Sequence, residues 1–178
     1  MLAEFSWLSV AILAFVTIQR LGELVLARRN TERLLAKGAF EIAPEHYPLI
    51  VATHTAWLAA LWFVAPWHEV NLPLLAVFIL LQLGRLWVLA TLGERWTTRI
   101  IILPGAPLVR GGPYRFVSHP NYLVVAGEIL VLPLAFGLPL LALLFTAINA
   151  IMLTVRIRAE HAALYDGPLR ASKASSQP

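Results

Sequence analysis

Residues 120–155 read PNYLVVAGEILVLPLAFGLPLLALLFTAINAIMLTV, with Glu128 as the only charged side chain. A helix that crosses a bilayer needs about 20 mostly apolar residues. This stretch is too long for one crossing. Its middle, LPLAFGLP at residues 132–139, holds Pro133, Gly137 and Pro139. Proline removes a backbone donor and glycine weakens a helix, so the segment predicts a tight turn between two antiparallel spans. These spans are expected at residues 120–136 and 138–158.

Working outward, three more stretches are long and apolar enough to cross: residues 2–26, 47–67 and 72–92. The fold class is therefore all-α, an integral membrane bundle of about five transmembrane helices whose last two form a tight hairpin. Composition agrees. Of 178 residues 59% are hydrophobic and 13% charged, with a mean hydropathy of +0.74. Soluble domains are about half apolar and about a quarter charged. One domain is expected over residues 1–168, followed by a polar, disordered tail at 169–178. The first apolar run has Glu4 and no basic residue before it, unlike a secretory signal, so it is expected to be a retained helix. The chain has no cysteine, which excludes disulfides, thiolate nucleophiles and Cys-ligated metal.

The net charge is +4, yet the placement of the basic residues argues against a nucleic-acid surface. Arg28, Arg29, Arg33 and Lys37 follow the first span, and Arg95, Arg99, Arg110 and Arg115 lie between the third and fourth. Arg156, Arg158, Arg170 and Lys173 follow the fifth. Those are twelve of the fourteen Lys and Arg residues, all on one side of the predicted membrane. The positive-inside rule then puts the N-terminus outside and the C-terminus in the cytosol. Trp62, Trp67 and Trp96 are expected at the interfaces, as in an aromatic belt.

Charged groups within spans are costly and are paired or functional. Here they are Arg20, Glu23, Arg85 and Glu128, with Gln19, Gln82, His54 and Asn149 as neutral companions. Arg20 and Glu23 are three apart on one helix face and can pair. Arg85 is expected to pair with Glu128.

The richest polar stretch, PLVRGGPYRFVSHPNY, precedes the fourth span. Pro120 suits the first position of a helix and makes His119 its N-cap. The helix N-terminus attracts anions, with His119 and Tyr122 on the same side. In the fifth span Asn149, Arg156 and Glu160 share a face. A hairpin makes these ends neighbours, so His119 and Tyr122 are expected to face Arg156 and Glu160 across one ligand site. Glu128 lies half a turn around from His119 and points elsewhere.

GPYRFVSHPNY followed by RIRAEHAAL resembles the isoprenylcysteine carboxyl methyltransferase family. Its pattern is roughly G-x-Y-x-x-x-R-H-P-x-Y, then R-x-x-x-E-E-x-x-L. QRLGEL, RRN and GAFEIAPEHYP resemble the smaller bacterial branch, which includes enzymes methylating alkylpyrones and alkylresorcinols. The resemblance implies a methyltransferase of the bacterial inner membrane that uses S-adenosylmethionine and a lipophilic acceptor. It implies a cofactor site of Gly112, Tyr114, His119, Pro120, Tyr122, Arg156 and Glu160. Ser118 and His161 depart from the pattern, and Arg115 is expected to replace the arginine missing at 118. His119 and Glu128 are the candidate bases, and Arg20, Glu23 and Arg85 the candidate acceptor-binding residues. No metal site is expected. The competing reading is an NADPH-dependent membrane ene-reductase, because sterol reductases also carry HPNY followed by Gly-Glu, at a closer spacing than here. A non-catalytic lipid-binding protein is the third.

Overall fold

The computed structural model describes residues 5–162. The first residues of the predicted first span, the end of the predicted domain, and the polar tail with Arg170 and Lys173 lie outside the described residues. The described chain forms five helices and one small ribbon: α1 (Trp7–Ala36), β1 (Phe40–Ile42), α2 (His46–Val64), α3 (Leu72–Leu92), β2 (Ile100–Ile102), α4 (Pro120–Ala135) and α5 (Pro139–His161). It is an all-α membrane bundle. Four helices, all but α4, are long and apolar enough to span a bilayer.

Local chemistry sets the ends. Ser6 caps α1, its hydroxyl accepting from Ser9 N at 3.3 Å. Asn71 caps α3 in the same way, accepting from Leu74 N at 3.0 Å. Each satisfies an amide that has no partner inside its helix. α1 runs ten residues past its predicted end at 26 because apolarity stops there but helix-forming residues do not. Arg28 and Glu32 support the extension one turn apart, at 3.0 Å. Lys37 Nζ then donates to Glu94 Oε2 at 2.6 Å, tying the end of α1 to the turn after α3.

The predicted hairpin turn is present, with one change. Pro133 belongs to the last turn of α4, and the reversal is made by Phe136, Gly137 and Leu138. Leu138 N donates to Pro133 O and Gly137 N to Leu134 O, both at 2.9 Å. Gly137 has φ of 68°. That is the Schellman pattern, which places glycine where the chain turns left-handed. α3 and α4 approach closely midway along α4: a Cβ on Gly127 would fall 2.8 Å from Leu81 Cδ2. Small residues permit such approach between membrane helices.

The β-ribbon was not expected. β1 and β2 pair antiparallel, Glu41 opposite Ile101, and Arg99 Nη1 holds Glu41 Oε2 at 2.8 Å. The ribbon joins the segment after α1 to the segment after α3, at the end where α4 begins.

Leu13, Val16, Trp57, Leu61, Phe78 and Leu132 form the centre of the core. The outer surface is also apolar: Phe63 is 86% and Leu140 82% exposed, an arrangement that suits lipid. Trp62 and Trp67 are exposed on that surface. Trp96 is not. It is buried against Ala27 and Val88, because the chain after α3 folds back over the bundle instead of remaining at a lipid interface.

Candidate functional site

Two polar assemblies occupy the bundle interior. The first joins α1, α3 and α4. Arg20 Nη1 binds Glu23 Oε2 and Arg20 Nη2 binds Glu128 Oε2, both at 2.7 Å. Arg85 Nη1 binds Glu23 Oε2 at 3.1 Å, and Arg85 also holds both oxygens of Glu128. Gln82 Nε2 donates to Glu128 Oε1 at 2.8 Å, and Gln19 Nε2 donates to Gln82 Oε1 at 2.7 Å. Both expected pairs are present, each cross-linked to the other. Two cations and two anions leave the group formally neutral, which makes it tolerable in an apolar interior.

The second assembly lies where α4 begins and α5 ends. His119 occupies the N-cap position of α4, but its side chain makes no capping bond. Its ring instead stacks on Tyr122, centroids 5.2 Å apart and planes 13° apart. Nδ1 of His119 is 3.9 Å from Glu160 Oε2. The Tyr122 hydroxyl donates to Glu160 Oε2 at 2.7 Å and accepts from Arg156 Nε at 2.9 Å. Arg156 Nη2 donates to Thr98 O at 2.8 Å. The four residues thus meet as the hairpin requires.

The flanking residues differ in kind. Gly112 has φ of +53°, and a Cβ there would fall 2.3 Å from Thr91 Oγ1. Glycine is needed to pass the 3₁₀ turn Gly112–Arg115 against α3. In that turn Tyr114 is half-buried. Burial pushes its hydroxyl up from 10.0 to about 12, with Glu160 adding in the same direction. Pro120 is buried and Arg115 exposed.

A cavity of about 440 Å³ connects the two assemblies, within the range of small-molecule sites. Arg20, Glu23 and Arg85 line one part, and Tyr122 and Arg156 another. The walls between, from α1, α2 and α5, are mostly apolar, with Thr17, His54, Thr55 and Asn149 among them. Gly112, Tyr114, His119 and Glu160 are not in its lining. Arg156 is bonded to a hydroxyl and a carbonyl, so its charge is directed to neutral acceptors. An amphipathic ligand fits such a space, its apolar part between helices and an anionic part at Arg156. Among the described residues no group of three or more His, Asp or Glu side chains could hold a metal ion.

Some lining residues were not expected at a site. Thr98 supplies a backbone carbonyl, which sequence does not reveal. Tyr47 and His54 face the cavity seven residues apart on α2. That spacing is one helix face, but it is equally the spacing of core residues. Asn121, in the HPNY run, has a buried Oδ1 with no partner among the described residues and lines the cavity.

Comparison with known proteins bears on this geometry. A family model described as the isoprenylcysteine carboxyl methyltransferase (ICMT) family matches residues 74–166, which include both halves of the Tyr122–Arg156–Glu160 cluster. The chain is 39% identical over 167 residues to the uncharacterized protein YpbQ of Bacillus subtilis, covering 90% of this chain and 96% of that one. It is 29% identical over 153 residues to an uncharacterized protein of Haemophilus influenzae, covering 82% and 88%. No solved structure matches. The match spans more than half of the chain and includes the convergent cluster, and the chain belongs to the isoprenylcysteine carboxyl methyltransferase family.

Proposed function

We propose that this membrane protein is an S-adenosylmethionine-dependent methyltransferase that transfers a methyl group to oxygen of a lipophilic acceptor. The observation that carries the reading is the Tyr122 hydroxyl bridging Arg156 and Glu160 at one end of a largely apolar cavity whose other end meets the Arg20–Glu23–Arg85 group. When bound, S-adenosylmethionine supplies a methyl group on a sulfonium.

The residues fit such a ligand. Arg156 Nη1 has no partner among the described residues and is available to a carboxylate. Glu160 Oε1 is likewise available to a hydroxyl. By the family pattern, Gly112, Tyr114, Arg115 and Pro120 would complete the cofactor site beside this cluster. Displacement at a methyl group needs alignment and exclusion of water more than covalent help. The rigid hairpin supplies the first, and the apolar cavity the second.

The acceptor reaches the cavity sideways. Leu21 and Leu24 of α1 and Trp62 of α2 line the cavity and are also exposed on the outer face. Trp62 Nε1 donates to Thr17 Oγ1 at 2.9 Å across this thin wall. The clustering of basic residues at the end where α4 begins supports the reading that this end faces the cytosol of a bacterial inner membrane.

Calorimetry with S-adenosylhomocysteine on detergent-purified protein tests the reading. Saturable heat is expected. Absence of heat, together with thermal protection by NADPH, would replace it with the reductase alternative.

A further inference from the structure

Neither of the two bases suggested by sequence lines the cavity. Glu128 is held by Arg20, Arg85 and Gln82, and the His119 ring lies flat on Tyr122 outside the cavity lining. A third titratable group is placed differently. His54 of α2 lines the cavity, and its Nδ1 is 2.9 Å from Ile50 O. A carbonyl has no proton to give, so this bond requires the proton on Nδ1. The Nε2 lone pair is then left over, and it has no partner among the described residues.

We infer that His54 Nε2 is the proton acceptor of the acceptor pocket, acting on a weakly acidic hydroxyl of the kind that the resemblance to the alkylpyrone and alkylresorcinol enzymes implies. The inference rests on the methyltransferase reading. A carboxylate is already ionised and needs no base, whereas a neutral hydroxyl becomes nucleophilic as its proton leaves. The balance is complete with a sulfonium methyl donor. The acceptor oxygen forms the new O–CH₃ bond, the S–CH₃ bond breaks and its electron pair stays on sulfur. The hydroxyl proton moves to Nε2, making an imidazolium. Nδ1–H keeps its bond to Ile50 O throughout, which fixes the ring.

Position supports the role. Tyr47 lies seven residues before His54 on the same face, and Thr98 Oγ1 donates to its hydroxyl at 3.4 Å. Thr98 also accepts from Arg156. His54 thus lies two turns, about 10 Å, from the Arg156 end. It sits on the side toward the ion-pair network, where the acceptor would lie. The charged groups acting on it are Arg20 from α1, Arg85 from α3 and Glu128 from α4. Glu23, Tyr47, Tyr122 and Arg156 are the other titratable groups lining this cavity.

The test uses the full-length protein, a long-chain para-alkylphenol and its ortho-nitro derivative, which ionises at much lower pH and is assayed above its own midpoint, where it is ionised and the alkylphenol is not. His54→Gln removes the base and keeps a polar side chain. It should bind S-adenosylhomocysteine like the parent. Its kcat on the alkylphenol should fall about 100-fold or more with KM little changed, while the ionised nitrophenol is methylated at near the parent rate. A readout without methyl donor is the visible absorbance of the bound nitrophenol, whose ionisation midpoint should lie higher in His54→Gln than in the parent. Equal loss on both phenols, or no loss on the neutral one, overturns the inference. So does efficient methylation of a long-chain carboxylate, but no phenol, by the parent. If the parent binds no S-adenosylhomocysteine and methylates nothing, the methyltransferase reading fails, and this proposal with it.

Discussion

The hydroxyl of Tyr122, in the first turn of α4, donates to the carboxylate of Glu160, in the last turn of α5, at 2.7 Å. Through the same oxygen it receives Arg156. A hydrogen bond to a charged group contributes about 1.5–3 kcal/mol, and each 1.4 kcal/mol is about tenfold in affinity. Tyr122→Phe should therefore weaken S-adenosylhomocysteine binding by about tenfold or more while leaving the helices intact. Calorimetry beside circular dichroism checks this. Unchanged affinity would mean that the cluster fastens helices and holds no ligand.

Arg85 and Glu128 should be far more sensitive singly than together. Removing one partner of a buried ion pair costs about 3–5 kcal/mol, because the other charge is left uncompensated. Glu128→Leu leaves two guanidiniums facing one carboxylate, whereas Arg85→Leu with Glu128→Leu leaves Arg20 paired with Glu23. The double variant should melt above either single one. Thermal unfolding in one detergent across the four proteins measures the coupling.

Gly112→Ala should destabilise by about 1–3 kcal/mol, since it combines overpacking with backbone strain. The new Cβ meets Thr91 Oγ1, and the left-handed φ of +53° remains. Adding Thr91→Ala should recover part of the loss and not all of it. Full recovery in melting experiments would show that space alone decides the residue.

Tyr114 predicts a loss of stability in alkali. Its hydroxyl is raised from 10.0 to about 12 by burial and Glu160, so folding favours the protonated form. This contribution is fully present below pH 10.0 and is lost as pH rises toward about 12. Tyr114→Phe cannot ionise and should show a smaller fall in melting temperature across that window. Equal falls would place the alkaline transition in another group.

Much of this site can be read from sequence because one hairpin determines it. Pro120, Gly137 and Pro139 mark where α4 and α5 begin and where the chain reverses. Helical spacing then brings His119 and Tyr122 to Arg156 and Glu160. Glu128 was expected to face away from His119, and it does. The pairing Arg20–Glu128 was harder, because it depends on how α1 is rotated against α4, which no spacing within one helix encodes. Three-residue strands such as Phe40–Ile42 carry too few alternations to signal a ribbon. His54 is one of two histidines on an otherwise apolar helix, and the charged groups that act on it come from α1, α3 and α4, which its own helix does not encode.

The shortness of α4 has a consequence for where chemistry occurs. At 16 residues it is about 24 Å long, against a hydrocarbon layer of about 30 Å. Its C-terminal end is level with the start of α3, because Asn71 N donates to Ala135 O at 2.8 Å. The shortfall of about 6 Å therefore falls at its other end, beneath Tyr122 and Glu160. α4 acts as a depth gauge. On the proposed reading, it would set the meeting point of a water-borne donor and an oil-borne acceptor below the membrane surface, so that neither partner has to leave its own phase completely to react.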